Sequence, residues 1–200
     1  MSLPLSLLDY LGIGVFAASG AILAADRRTD LVTFGFFAVA AGLGGGTLRD
    51  LLIGAPVFWV HQNGTLLICL VAGLAVWTTG PRLWGGNTLV WLDAIGLAAY
   101  AAYGAAKGLT FGSAPLPAFA MGVLTGCAGG IIRDLLANQP SILLRSELYV
   151  TVAALSAGLM VSFELAGVHS IVGGLLAVTL GFSLRAAAIL RGWSLPTYKG

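Results

Sequence analysis

The chain has 200 residues, a formal net charge of +2, 9% charged and 58% hydrophobic residues, and a mean hydropathy of +0.95. Soluble domains carry about 25% charged residues, so this composition excludes an ordinary soluble globular domain and describes a single bilayer-embedded one. The small charge excess, with no basic run outside the apolar segments, excludes a nucleic-acid partner.

Seven apolar segments are long enough to span a bilayer at about 20 residues each. The first runs from about Leu5 to Ala25, with Ser6 and Asp9 in capping-box-like spacing at its start. It follows a start without a positive side chain, unlike a cleavable signal, and is read as a mature span. The polar turn Asp26 to Asp30 leads into the second, Leu31 to Ile53, which Gly54-Ala55-Pro56 stops. The third, Thr65 to Thr79, is the shortest and ends at Gly80-Pro81-Arg82. The fourth runs from Thr88 to about Leu109. The fifth runs from Leu116 to Ala137, stopped by Asn138-Gln139-Pro140. The sixth covers Leu148 to Ala166 and the seventh His169 to Leu190.

The second and fifth segments share an unusual motif. Gly42-Leu43-Gly44-Gly45-Gly46-Thr47-Leu48-Arg49-Asp50 recurs as Gly126-Cys127-Ala128-Gly129-Gly130-Ile131-Ile132-Arg133-Asp134, 84 positions later. The same shift carries Asp9 onto Asp93, Gly12 onto Gly96, Gly20 onto Gly104 and Pro56 onto Pro140, without a gap. The expected architecture is therefore an all-α membrane protein of seven transmembrane helices. Two three-helix repeats, about 5–80 and 88–166, precede an extra helix at about 169–190. Each pass reverses direction, and three is odd, so the second copy enters from the opposite face. Inverted repeats of this kind occur in transport proteins with a site near the midplane. Arg27, Arg28, Arg82, Arg145, Arg185, Arg191 and Lys199 fall on one side and Lys107 on the other, which places the N-terminus outside and the C-terminus in the cytoplasm.

Glycine in a helix interior costs about 1 kcal/mol, and arginine is rare in apolar spans. A helix broken at Gly44-Gly45-Gly46 can bend or unwind and free carbonyl oxygens suited to K+ or Na+. The alternative is close helix packing through a small-residue face. Adjacent residues on a helix do not face each other, so Arg49 is not expected to pair with Asp50. The topology instead suggests one bridge per repeat, Asp9 to Arg49 and Asp93 to Arg133. Tyr10, Tyr100, Tyr103, Trp77, Trp91 and Tyr149 fit an interfacial aromatic belt. Gly173, Gly174, Ala177 and Gly181 make the seventh helix smooth on one side, for packing against the repeats or a neighbouring subunit. Cys69 and Cys127 read as small buried hydrophobes. No Ser-His-Asp set, P-loop lysine or metal-ligand spacing appears, so neither a catalytic residue nor a metal site is expected.

Glycine-rich second and fifth helices ending in Arg-Asp, on doubled three-helix units plus a seventh helix, resemble the prokaryotic branch of the trimeric intracellular cation (TRIC) channels. The resemblance covers about Leu5 to Leu190. It implies a homotrimer in a plasma membrane, each subunit holding its own hourglass-shaped path for K+ or Na+, with no cofactor and with membrane lipid as the other partner. The kinked helices carrying Gly42, Gly44, Gly45, Gly46, Gly126, Gly129 and Gly130 would line that path, with Asp9, Arg49, Asp50, Asp93, Arg133 and Asp134 as its charges. Ala128 stands where the first copy has Gly44, so the second cluster has one glycine fewer. Related bacterial sequences are also labelled glycine transporters, which makes a carrier of a small solute such as glycine the alternative.

Overall fold

The computed structural model describes residues 3–144 and 147–196, with side chains from Leu7 onward except Pro81 and Arg82. The readings that involve Ser6, Arg82, Arg145 and Lys199 fall outside the described side chains. The helices in chain order are α1 (Leu3–Asp26), α2 (Leu31–Leu52), α3 (Asn63–Thr79), α4 (Pro81–Trp84), α5 (Thr88–Thr110), α6 (Pro115–Leu136), α7 (Tyr149–Leu165) and α8 (Ser170–Arg191). Short 3-10 turns lie at Phe58–His61 and Ile142–Leu144. α4 is one turn inside a loop, so seven long helices remain.

Five of them, α1, α2, α5, α6 and α8, are long and apolar enough to cross a membrane. α3 and α7 have 17 residues each, about 26 Å of helix, close to the thickness of a hydrocarbon core. Side chains exposed on the bundle are largely apolar, among them Val32, Leu67, Leu116 and Leu175. In water such a surface would be costly; in lipid it is the expected one.

Local chemistry sets the helix ends. Asp30 N-caps α2, its Oδ1 accepting from the Thr33 backbone N–H at 2.9 Å and its Oδ2 from the Thr33 hydroxyl. Among the positions just past helix ends with positive φ, Arg28 (53°) matches Gly112 (82°) and Gly54 (68°) matches Asn138 (50°). Each pair is 84 positions apart, so the two halves turn the chain in the same way.

Packing follows the same shift. α1 packs on α2 and α3 as α5 packs on α6 and α7, while α1 meets α5 and α2 meets α6 between the halves. Those crossings exchange equivalent contacts. A methyl on Gly12 would strike the Tyr100 ring, and one on Gly96 would lie 3.0 Å from the Phe16 ring; Phe16 and Tyr100 are themselves equivalent and stack at 5.5 Å between centroids. Equivalent residues of the two halves thus meet one another. α8 lies against α5 and α7. Its small-residue face, Gly173, Gly174, Ala177 and Gly181, is buried against Phe163, Leu8 and Ser156, so it packs on the repeats.

Several expectations change. α1 begins at Leu3, so Asp9 sits within a helix and is buried, not a cap at its start. Tyr100, Tyr103 and Tyr149 are buried inside the bundle instead of forming a belt, whereas Tyr10 and Trp77 are exposed. Arg185 is a buried residue of α8, not a loop charge.

Candidate functional site

The glycine clusters bring α2 and α6 together. A methyl on Gly45 would lie 2.5 Å from the Thr125 carbonyl oxygen and 3.4 Å from the Gly129 nitrogen; one on Gly129 would lie 2.8 Å from the Ala41 carbonyl oxygen. No side chain fits at either point. Gly42 is closed in by Cys69 and the Ile13 carbonyl, Gly126 by the Leu97 carbonyl, and Gly44 by Ile132. Both helices stay α-helical through their clusters, which corrects the expectation of unwinding. The missing Cβ is used for close approach, the alternative weighed from the sequence. One carbonyl in the first cluster, Gly42 O, accepts a hydrogen bond from the Tyr100 hydroxyl at 2.8 Å.

Gly46 and Gly130 instead make room for charge. A methyl on Gly46 would meet the Phe58 ring at 2.6 Å and Arg49 Nη2 at 3.5 Å. At Gly130 it would meet the Tyr149 hydroxyl at 2.6 Å, Asp93 Oδ1 at 3.2 Å and Arg133 Nη2 at 3.6 Å. Each glycine thus opens a space next to the arginine one turn on, and each space holds a buried ionic cluster.

In the first cluster, Arg49 Nε donates to Asp50 Oδ1 at 2.7 Å. Lys107 of α5 pairs with the same carboxylate at 2.8 Å, and the Phe58 backbone N–H donates to Asp50 Oδ2 at 3.0 Å. The Arg49 guanidinium lies 5.0 Å from the Tyr103 ring centroid and 5.7 Å from that of Phe58. Its Nη1 and Nη2 have no hydrogen-bond partner among the described residues. In the second cluster, Arg133 is held on every side. Nη1 donates to Asp93 Oδ1 at 2.7 Å and to Ser19 Oγ at 3.2 Å, and Nε and Nη2 both donate to Asp134 Oδ1 at 2.9 Å. Asp134 Oδ2 accepts from the Ile142 backbone N–H at 3.0 Å. Phe58 and Ile142 are again 84 apart, so each aspartate ties its helix end to the following 3-10 turn.

Two expectations are therefore corrected and one is met. Arg49 does pair with Asp50, and Arg133 with Asp134. The rule against neighbours holds for short side chains, but an arginine stem is long enough to fold back along the helix. Asp93 bridges to Arg133 as expected. Asp9 forms no direct ion pair with Arg49 among the described residues; it faces Tyr103 in the same cluster. The reason is local. Lys107 and Asp50 already balance each other there, and Arg49 turns to the aromatic rings.

Sequence reasoning missed Ser19, Phe58, Tyr103 and Tyr149 as site residues and read Lys107 only as a loop charge. The repeat carried the signal: Ser19 maps onto Tyr103, and each supports the arginine of the other half. A cavity of about 490 Å³, lined by Phe58, His61, Gln62, Lys107 and Phe111, opens beside the first cluster. Another of about 320 Å³, lined by Asn87, Glu147, Arg185 and Ser194, lies at the other end. Arg185 Nη2 donates to Glu147 Oε2 at 2.5 Å, and its guanidinium covers the Tyr149 ring at 5.5 Å. Between the ends lie the Gly45–Gly129 crossing and the Phe16–Tyr100 pair.

Seven apolar helices, equivalent contacts between the two halves and a buried arginine–carboxylate cluster in each half define a multi-pass membrane protein of the TRIC channel fold. Comparison with known proteins agrees. A family model described as "Glycine transporter" matches twice, over residues 6–81 and 90–165, a separation of the same 84 positions. The UPF0126 membrane protein of Vibrio cholerae is 38% identical over 97% of this chain and 82% of its own length. The UPF0126 inner membrane protein YadS of Escherichia coli K12 is 35% identical over 96% of this chain and 94% of its own. The crystal structure of the TRIC trimeric intracellular cation channel orthologue from Rhodobacter sphaeroides superposes with a TM-score of 0.90 at 35% identity, covering 96% of this chain and all of that one. The chain belongs to this family of prokaryotic TRIC-type membrane proteins, the one the matching model describes as glycine transporters.

Proposed function

We propose that the protein is a channel for monovalent cations, K+ or Na+, in the plasma membrane. It acts as a homotrimer with one path per subunit, its halves inverted across the bilayer, N-terminus outside and C-terminus in the cytoplasm. The observation that carries this reading is the pair of equivalent buried clusters, one on each side of the Gly45–Gly129 crossing. Ionisable groups inside a membrane bundle are costly, and they mark ion pathways. The solved structure from Rhodobacter sphaeroides, an orthologue of a trimeric cation channel, supports the ion and the trimer. Arg27, Arg28 and Arg191 support the orientation.

The physics then assigns roles. A cation entering beside Phe58 and His61 meets Lys107 and Arg49 first, and both repel it. Asp50 and Asp9 offset that repulsion without removing it. Arg49 has one directional hydrogen-bonded partner and two aromatic faces, so it is the group able to swing aside. Arg133 has three hydrogen-bonded partners and stays. The first cluster is the movable barrier and the second a fixed lining.

Purified protein in planar bilayers under a K+ gradient gives unitary currents on this reading. The family description favours a glycine carrier instead. Saturable glycine uptake into proteoliposomes of the same purified protein, without unitary currents, would replace the channel with the carrier.

A further inference from the structure

The ends of α1 and α3 enclose a slot that the buried clusters do not use. It holds about 340 Å³, and Arg28, Phe34, Val76, Trp77 and Trp84 are among its lining residues. Phe34 meets the Trp77 ring edge-on, at 4.9 Å between centroids. α4 turns the chain back so that Trp84 Nε1 donates to Thr79 Oγ1 at 2.6 Å, which fixes the indole and uses its donor. The walls are therefore held in place, largely aromatic and poor in free polar groups. Arg28 stands at the rim. It is exposed, and its guanidinium has no hydrogen bond or ion pair among the described residues. Its neighbour Arg27 is engaged by the Asn138 carbonyl. No acid lines the slot among the described residues; Asp30 is turned to Thr33, and Asp26 lies outside.

The repeat supplies an internal comparison. The shift of 84 carries Ala25 onto Leu109 and Gly80 onto Glu164, both pairs lining cavities, and the second cavity, of about 310 Å³, is lined by Leu109, Thr110 and Glu164. There Gly112, Val161 and Val168 stand for Arg28, Trp77 and Trp84. Each half thus has a slot at the same place, one with a cation and two indoles, the other with an acid. We propose that the first slot holds one anionic phospholipid of the cytoplasmic leaflet, its phosphate on Arg28 and an acyl chain along Phe34, Trp77 and Trp84. Indoles and a free arginine at the end of apolar spans mark the headgroup level. A guanidinium can give a phosphate two parallel donors. A zwitterionic headgroup would bring an ammonium that finds no carboxylate in this slot, so a net negative headgroup fits it better. A soluble phosphate would leave the aromatic walls uncovered. Only the choice of leaflet rests on the proposed orientation; binding does not depend on whether the chain conducts, so failure of either leaves the other standing.

The test uses the full-length protein in detergent and native mass spectrometry, with added palmitoyl-oleoyl phosphatidylglycerol or the phosphatidylcholine of the same chains. The native protein should bind its first phosphatidylglycerol per chain more tightly than its first phosphatidylcholine. Arg28→Asn removes the charge and keeps a residue that tolerates positive φ. It should weaken phosphatidylglycerol about fivefold and leave phosphatidylcholine unchanged, because one basic side chain near a headgroup is worth about that factor. Trp84→Ala should weaken both lipids, and Glu164→Gln, in the other slot, neither. Equal affinity of the native protein for the two lipids, or equal phosphatidylglycerol binding by the native protein and Arg28→Asn, overturns the site. Displacement of phosphatidylglycerol by inorganic phosphate at equal ionic strength would make Arg28 a site for the free anion and overturn the lipid. A fall in oligomeric mass in Trp84→Ala, with no loss of lipid, would seat a second copy of this chain in the slot and overturn it as well.

Discussion

Arg49 and Arg133 occupy the same position in their repeats yet are held differently, and that difference is testable. Replacing Arg49 with glutamine leaves Asp50 its partner Lys107, so Arg49→Gln should fold and show unitary K+ conductance several-fold above native, since a charge about 5 Å from an ion is worth a few kcal/mol at an effective dielectric of about 20. An unchanged conductance would remove Arg49 from the path. Arg133→Gln leaves Asp93 and Asp134 buried without their cation. Its cost should be about 3–5 kcal/mol, read as a lower thermal unfolding midpoint. Asp30 gives a prediction at the surface. Its carboxyl is held below the usual range by the Thr33 backbone N–H and the Thr33 hydroxyl. A depressed folded value means that its contribution is complete above the ordinary carboxylate pKa and is lost as the pH falls through the folded one. Asp30→Ala should therefore be less stable than native near neutrality, with the gap closing in acid; a gap that persists in acid would deny the carboxylate its capping role.

At the scale of elements, the glycine clusters bind helices together. Gly45→Ala or Gly129→Ala places a methyl against a backbone carbonyl that cannot rotate away. Overpacking should cost about 1–3 kcal/mol, measured by denaturant unfolding in detergent. A neutral result would show that α2 and α6 separate more easily than their contact suggests. The helices themselves were legible in the sequence because apolar length is a strong signal, and the repeat was legible because it needs no gap. The reach of Arg49 and Arg133 was not, because sequence spacing fixes where a Cβ points and not where a long side chain ends. Nor was the burial of Tyr100, Tyr103 and Tyr149. An aromatic near the end of an apolar run fits a headgroup belt as well as a bundle core, and only the facing helix decides. The left-handed turns show the same limit. Gly54 and its equivalent Asn138 were both legible only as parts of stop signals, and neither spacing nor composition fixed the left-handed backbone there.

For the whole molecule, the inverted arrangement makes a geometric prediction. Thr29 and Ser113 lie 84 positions apart, in the loops after α1 and α5. If the halves are inverted, these equivalent loops emerge on opposite faces of the membrane. A cysteine placed at Ser113 should react with an impermeant maleimide on intact cells, and one at Thr29 only after permeabilisation. The two native cysteines, both buried, keep the background low. Labelling of both positions from the same side would make the halves parallel and end the inverted reading.

The Phe16–Tyr100 stack carries a last consequence. Because each ring rests on its own counterpart, with Gly12 and Gly96 as the facing hollows, this part of the core cannot evolve one position at a time. A larger ring at 16 must be answered by a smaller one at 100. Fusing two ancestral copies into one polypeptide permits that trade, since a chain that merely paired with itself would have to alter both rings at once.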